Sequence, residues 1–248
     1  TLKHMEAEVA SLVEELLDDM AGKTVIDISE DFTIPLPVYI IARLMGIPED
    51  RAEDFKRWSD ALTGTSEAAS LEERLPDIME MATYFGSLIP ERRENPGDDL
   101  ISKVVQAEVD GVGISDEDIV GFNILLLIAG NETTTNLLSN LLNHLADHPE
   151  KWDELRDNPD KIEAAVEETL RFDGPVHWVN RKATADTEFH GQKVKAGDIV
   201  YAILGAANRD ADHYDNPDEF RLDRGRGDHH TFGHGIHFCI GAPLGRLE

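Results

Sequence analysis

The sequence predicts a mainly α-helical protein with small β-sheets, and three observations carry that prediction. Apolar residues recur at helical spacing through most of the chain before Gly174, with Pro48, Gly64 and Asn95-Pro96-Gly97 as punctuation. One long run from Ile119 to Gly130 is apolar on nearly every side, as a helix inside a core would be. Strand-like composition with turn signals is confined to a short stretch from Val176 to Tyr201. At 248 residues and 41% hydrophobic, the chain can bury a substantial core as a single domain over 1–248.

Taken in order, residues 2–20 have helical periodicity, and 32–45 open on Ile34-Pro35-Leu36-Pro37 before an apolar helical run that stops at Gly46-Ile47-Pro48. Further helices are expected over 51–62, 71–92 and 98–109. Ser115-Asp116-Glu117-Asp118 then caps a long helix, because a serine oxygen accepts from free backbone amides and carboxylates favour the positive end. That helix continues until Pro149. It is no membrane span, since Asn123, Asn131 and Glu132 interrupt a stretch already shorter than the ~18 apolar residues required.

The centre of this helix is unusual. Ala129-Gly130-Asn131-Glu132-Thr133-Thr134 sets two small residues before a carboxylate and two hydroxyls. Glycine costs about 1 kcal/mol relative to alanine in a helix interior, threonine is a weak helix former, and a buried glutamate needs a partner. Weakening a helix there serves something other than its stability. Glu132 alone reads equally well as a carboxylate that reaches solvent or a basic partner.

Residues 161–172 form the next helix, closed by Gly174-Pro175. Glu168 and Arg171, three residues apart on it, share a face and can pair. Short strands follow over 176–183 and within 188–201, with turns at His190-Gly191 and Ala196-Gly197-Asp198. His177 and Trp178 read equally as strand residues packing on this sheet. Ala206-Ala207-Asn208-Arg209-Asp210 reads as a structural turn.

Cys239 is the chain's one cysteine, in the glycine-punctuated loop Phe232-Gly233-His234-Gly235-Ile236-His237-Phe238-Cys239-Ile240-Gly241. One sulfur makes no internal disulfide and no multi-cysteine shell for structural zinc or an iron–sulfur cluster. It is enough for haem iron, where an axial thiolate favours O–O cleavage. Gly233, Gly235 and Gly241 allow close approach of the main chain to a flat ligand. Ala242-Pro243-Leu244 opens a helix, which sets Cys239 just before an N-terminus that would favour the thiolate. A zinc reading with His229, His230, His234 and His237 is the alternative, weakened by glycines that alternate with the histidines.

Phe232-x-x-Gly235-x-His237-x-Cys239-x-Gly241 resembles the haem-ligand signature of the cytochromes P450, of the bacterial or archaeal soluble type. Ala129-Gly130-x-Glu132-Thr133-Thr134 is similar to that family's distal helix, and Glu168-x-x-Arg171 to its structural helix K motif. The resemblance implies a partial P450 fold and a haem-thiolate monooxygenase. It would use haem b, O2 and two electrons to hydroxylate a small organic substrate. It implies Cys239 as the axial iron ligand, His237 and Arg181 as propionate contacts, and Phe232 and Gly233 in the ligand loop. Ala129 and Gly130 would leave space over the iron. Thr133 would be the alcohol that helps deliver protons and Glu132 the acid that relays them. Val176, His177 and Trp178 would line the substrate pocket. Glu168 and Arg171 would anchor the meander 216–224, whose Glu219 stands where many relatives carry arginine; Arg224 or a neighbouring histidine is left as the third partner. Rival readings are a peroxygenase driven by hydrogen peroxide and a non-catalytic haem-binding or sensor protein. No reductase segment is visible, so a separate donor such as ferredoxin with its reductase is expected, docking on the cysteine side, where Arg246 would be exposed. Against such relatives the chain reads as a fragment lacking the N-terminal part and the extreme C-terminal part.

Composition adds one more constraint. With 50 Asp and Glu against 23 Lys and Arg, the formal net charge is −27, which disfavours nucleic acid and anionic membranes as partners. Low cysteine use favours the cytoplasm. The acidic residues are spread along the chain, as in a solvated acidic surface whose self-repulsion salt screens. The unfolding midpoint of the full chain should therefore rise with ionic strength in a salt series, and a flat or falling midpoint would refute that reading.

Overall fold

The computed structural model describes residues 2–63, 70–224 and 228–248; Gly64, read as a helix break, lies outside them. The chain divides into two compact units, one running to Thr135 with Leu247–Glu248, the other from Asn136 to Arg246.

The first unit is helical. Helices α1 (Leu2–Met20), α2 (Pro35–Leu44), α3 (Ala52–Thr63), α4 (Leu71–Glu94) and α5 (Leu100–Val105) precede the long α6 (Asp116–Asp147), of which the part through Thr135 belongs here. Pro35 occupies the first turn of α2, where its missing N–H costs nothing. Ser70 and Glu73 close a capping box at α4, satisfying two orphan amides reciprocally. Ser115 Oγ accepts from Asp118 N–H at 3.2 Å, the cap read from the sequence. The core gathers Val38 and Ile41 of α2 with Met45 just after it, Phe55 and Trp58 of α3, Met81, Phe85 and Ile89 of α4, and Ile119 and Leu127 of α6. Phe85 packs edge-on to Phe55, with ring centres 5.9 Å apart.

One helix is shorter than expected. The segment read as helical over 98–109 is helical only from Leu100 to Val105, after which β1 (Glu108–Val109) and β2 (Val112–Gly113) form a tight antiparallel hairpin. Its turn residues Asp110 and Gly111 both take positive φ, 53° and 78°, the backbone of a two-residue Asp-Gly turn. That local turn chemistry overrides the helical composition around it.

The second unit combines helices with two small sheets. After the end of α6 come α7 (Pro149–Asp157), α8 (Ile162–Asp173), β3 (Trp178–Lys182), β4 (Thr187–Phe189), β5 (Gln192–Val194), β6 (Ile199–Ile203) and α9 (Leu204–Ala207). β3 pairs antiparallel with β6, Trp178 opposite Ile203, and β4 with β5 across the His190-Gly191 turn. The 176–183 reading thus loses its first two residues and Ala183, while the two turns read within 188–201 separate β4, β5 and β6 as expected.

What holds this unit together is an ion pair inside it. Arg171 and Glu168 are 2% and 3% exposed, so neither charge is stabilised by water and each must be matched by protein. Arg171 matches all five of its N–H groups: Nε and Nη2 donate to the two Glu168 oxygens at 2.8 Å, Nη1 to the carbonyls of Asn208 and Pro217 at 2.9 Å, and Nη2 also to Glu219 O at 3.1 Å. Glu168 Oε1 also accepts from Arg221 N–H at 2.8 Å and from Arg224 Nε at 3.1 Å. The third partner left open by the sequence is therefore Arg224, which also binds the carbonyls of Asp215, Asn216 and Glu219. Glu219 serves through its backbone, so its side-chain identity is free to vary. Among the described residues no helix is long and apolar enough to cross a membrane.

Two substitutions test these packings by urea unfolding of the full chain. Phe85→Ala should cost about 3–5 kcal/mol by opening a cavity, whereas exposed Leu75→Ala on the same helix should stay within about 0.5 kcal/mol. Arg171→Lys should cost about 3–5 kcal/mol despite keeping its charge, because an ammonium cannot fill five fixed donor positions.

Candidate functional site

The residues of the Ala129-Gly130-Asn131-Glu132-Thr133-Thr134 segment lie in the first unit, on the part of α6 through Thr135. Ile119, Asn123, Leu127 and Asn131 form its buried stripe, and Asn131 Nδ2 donates to Ser59 Oγ at 2.7 Å. Turned away from that stripe, Ala129 is exposed while Glu132 and Thr133 are half-buried. Gly130 is explained by packing: a Cβ there would meet Ile41 of α2 at 3.0 Å, so its smallness lets two helices approach. Thr133 Oγ1 donates to Ala129 O at 2.7 Å, a back-bond that locally loosens the helical ladder.

The thiol loop lies in the second unit. Cys239 N–H donates to Phe232 O at 2.8 Å, Gly233 N–H to His230 O at 2.8 Å, and Phe238 N–H to Gly235 O at 3.0 Å, folding 230–239 back on itself. The folding needs positive φ at Gly233 (74°) and Gly235 (68°), where a side chain would be strained. Cys239 is a free, exposed thiol, and Ile236, Phe238 and Ile240 beside it are 98%, 52% and 83% exposed. His237 is exposed on the same loop. The helix after the cysteine, α10 (Ala242–Gly245), opens at Ala242 as expected from the sequence, three residues beyond Cys239.

The remaining sequence candidates of this unit surround the β3–β6 pair. Arg181, opposite Val200, is exposed and donates to the neighbouring carbonyl of Asn180 at 2.6 Å. Val176 is half-buried, His177 exposed, and Trp178 is 51% exposed with its ring edge-on to Tyr201 at 5.0 Å. His229, considered as a zinc ligand, is committed elsewhere: its Nε2 lies 3.2 Å from Glu167 Oε2. Among the described residues no group of three His, Cys, Asp or Glu side chains is placed to hold a metal.

Several residues that position the loop were missed by the sequence reading. Asn208, placed in a structural turn, is 2% exposed; its side chain accepts from His230 N–H at 2.7 Å and donates to Thr231 Oγ1 at 2.9 Å. Thr231 in turn donates to Leu170 O of α8. Gly174 keeps this contact possible, since a Cβ there would sit 2.4 Å from Leu170 O and 2.8 Å from Thr231. Glu167 binds His229 and also Arg246, which is exposed as expected. Its guanidinium also bridges to Glu167 and lies over the Phe232 ring, 4.5 Å from its centre. The adjacent acidic pair Glu167-Glu168 was the available sequence signal, but nothing local says that both carboxylates are buried.

Comparison with known proteins bears on these observations together. The family model for Cytochrome P450 matches residues 72–248. The chain is 43% identical to the cytochrome P450 YjiB of Bacillus subtilis and 41% identical to the erythromycin C-12 hydroxylase of Saccharopolyspora erythraea. Both alignments cover 100% of this chain and 64% of the relative, so the chain spans a little under two thirds of their length. The crystal structure of CYP109E1 from Bacillus megaterium in complex with testosterone superimposes with a TM-score of 0.90 at 41% identity, over 99% of this chain and 68% of that one. A thiol loop, a distal helix and a helix with a buried Glu-x-x-Arg pair, matched by a family model over most of the chain, place this protein in the cytochrome P450 family.

Proposed function

We propose that the protein containing this chain is a haem-thiolate monooxygenase that activates O2 with two electrons and hydroxylates a small organic substrate. The observation that carries this reading is the thiol loop: a free thiol raised on a turn that needs glycine at positive φ and bordered by Ile236, Phe238 and Ile240. Exposed apolar side chains around a lone thiol fit a flat, largely apolar macrocycle, which would cover them and receive the sulfur as iron ligand. Haem b, when bound, supplies the dioxygen binding and electron transfer that no side chain offers.

The chain's own residues then have separate tasks. Cys239 would hold the haem iron through its sulfur, with Phe232 and Gly233 setting the path of the loop that carries it. Arg181 and His237, both exposed, would meet the propionates, where a guanidinium suits a carboxylate. Ala129 leaves room on the distal helix, and Gly130 lets α2 close behind it. Thr133 is the proton-handling alcohol. Its hydrogen points to Ala129 O, a carbonyl that helix geometry also offers to the Thr133 amide, so the hydroxyl can release it at modest cost and turn toward a ligand. Glu132, half-buried beside it, exchanges protons with solvent and hands them inward. Glu168 and Arg171 act structurally. Val176, His177 and Trp178 are proposed pocket residues, and relatives named for erythromycin hydroxylation or crystallised with testosterone support an organic molecule as substrate. A separate ferredoxin-type donor and a cytoplasmic location complete the proposal.

The test uses the full-length protein. Its reduced carbon monoxide complex should give the thiolate-type absorption band, and Cys239→Ser should abolish it; a parent protein without that band refutes the reading. Thr133→Ala should retain the band and lower the rate of product formation from O2 by about a hundredfold, the low end of what a positioned proton donor supplies. Turnover from hydrogen peroxide alone, indifferent to Thr133, would instead identify a peroxygenase, and an unaltered spectrum without turnover a binding or sensor protein.

A further inference from the structure

We infer that Glu167 is a positioning residue for the thiol ligand: its buried carboxylate clamps both ends of the Cys239 loop, His229 before it and Arg246 after it, onto α8. The inference rests on the haem-thiolate reading above for its purpose, but its geometry stands independently.

Glu167 is 3% exposed, and a carboxylate so placed is stable only when matched by donors. Its donors come from opposite ends of the loop, since Arg246 reaches it through Nε and through Nη2 at 3.3 Å, and His229 through Nε2 at 3.2 Å. Burial pushes the Glu167 carboxyl up, yet the Arg246 hydrogen bond and charge, with His229, outweigh it and hold the group below the usual carboxylate range. Burial pushes His229 below the ordinary histidine value, against the pull of Glu167. A protonated His229 would help lower Glu167, but the imidazole's own environment keeps it neutral near pH 7. The Arg246 guanidinium is therefore the cation of the bridge, and His229 contributes an N–H. His229 Nδ1 is buried without a partner among the described residues, which leaves Glu167 as the ring's polar anchor there.

Both clamped side chains bear on one loop residue. The Arg246 guanidinium sits 4.5 Å from the centre of the Phe232 ring, and the His229 ring centre 5.7 Å from it. Phe232 O is the acceptor for Cys239 N–H at 2.8 Å. Position is thus passed from Glu167 through two side chains to Phe232, and from its carbonyl to the residue that bears the sulfur. Thr231 tethers the loop entry separately through Leu170 O, so loss of the clamp leaves the unit's fold in place.

The experiment compares the full-length parent with Glu167→Gln, Arg246→Met and the double variant. In protein stripped of haem, amide hydrogen exchange over 232–241 should accelerate roughly tenfold or more in each single variant, the range expected for losing a hydrogen bond to a charged group. In haem-loaded protein, the reduced carbon monoxide complex should lose its thiolate-type band roughly tenfold faster in each single variant, while the thermal midpoint of the helical signal in the double variant, which removes both charges, stays near that of the parent. The double variant should be no worse than the more severe single, as for two groups acting through one bridge. Unchanged loop exchange and unchanged band loss in both singles would overturn the inference. Should Glu167→Gln fail to fold, Arg246→Met, at the partly exposed end of the bridge, decides it. A parent without a thiolate-type band would sink the cofactor reading, and loop exchange would then decide the clamp by itself.

Discussion

A guanidinium with no water around it sets the terms for the second unit. Burial of the Arg171 guanidinium at 2% exposure is tolerable only if every N–H finds an oxygen in the right plane. Two oxygens come from Glu168 on the same helix, and the other three are carbonyls of Asn208, Pro217 and Glu219, which no regular helix or strand could present together. The irregular path of the chain from α9 through Arg224 is the shape that satisfies this demand. Arg224 completes it by turning a second guanidinium onto Glu168, onto the carbonyls of Asp215 and Asn216, and onto the Glu219 carbonyl that Arg171 also uses. A segment with almost no internal secondary structure is thereby fixed by charge-assisted hydrogen bonds.

Consecutive glutamates on α8 divide the work. Successive helical positions point about 100° apart, so Glu168 faces the 217–224 segment and Glu167 the residues on either side of the thiol loop. Leu170 O and Asn208 hold Thr231 and His230 between these two attachments. The loop therefore keeps its few free torsions at glycines and is otherwise pinned at its base, while its tip, with Cys239, Ile236 and Ile240, stays exposed. Rigid at the base and open at the tip is the arrangement a ligand-presenting loop requires, because position has to be set before the ligand supplies any contacts.

The distal segment obeys a different logic. Its small and polar residues weaken α6, and the first unit compensates by packing around it: Ile41 presses on Gly130, Ser59 binds Asn131, and Ile119 and Leu127 join the aromatic cluster of Phe55, Trp58 and Phe85. Thr133 can then spend its hydroxyl on a carbonyl of its own helix without unravelling it. Gly130 shows how one residue can satisfy a motif and a packing contact together.

Periodicity, caps and the three motifs were readable from the chain alone, because each depends on residues within a few positions of one another. The Ser115 cap, the proline and glycine stops and the His190-Gly191 turn are local physics, and so is the error at 98–109, where the Asp110-Gly111 turn outcompeted helical composition. The thiol loop, the distal segment and the Glu168-Arg171 pair were likewise legible as short patterns. What the sequence left open is what tertiary structure alone decides: that Arg224 completes the buried pair, that Glu219 serves through its carbonyl, that Asn208 is a hub, and that Arg246, though exposed, is bound to Glu167. Each of these joins residues distant in sequence around a buried charge. Which distant donor meets a buried carboxylate is set by desolvation and packing geometry, and neither is encoded in the spacing of neighbouring residues.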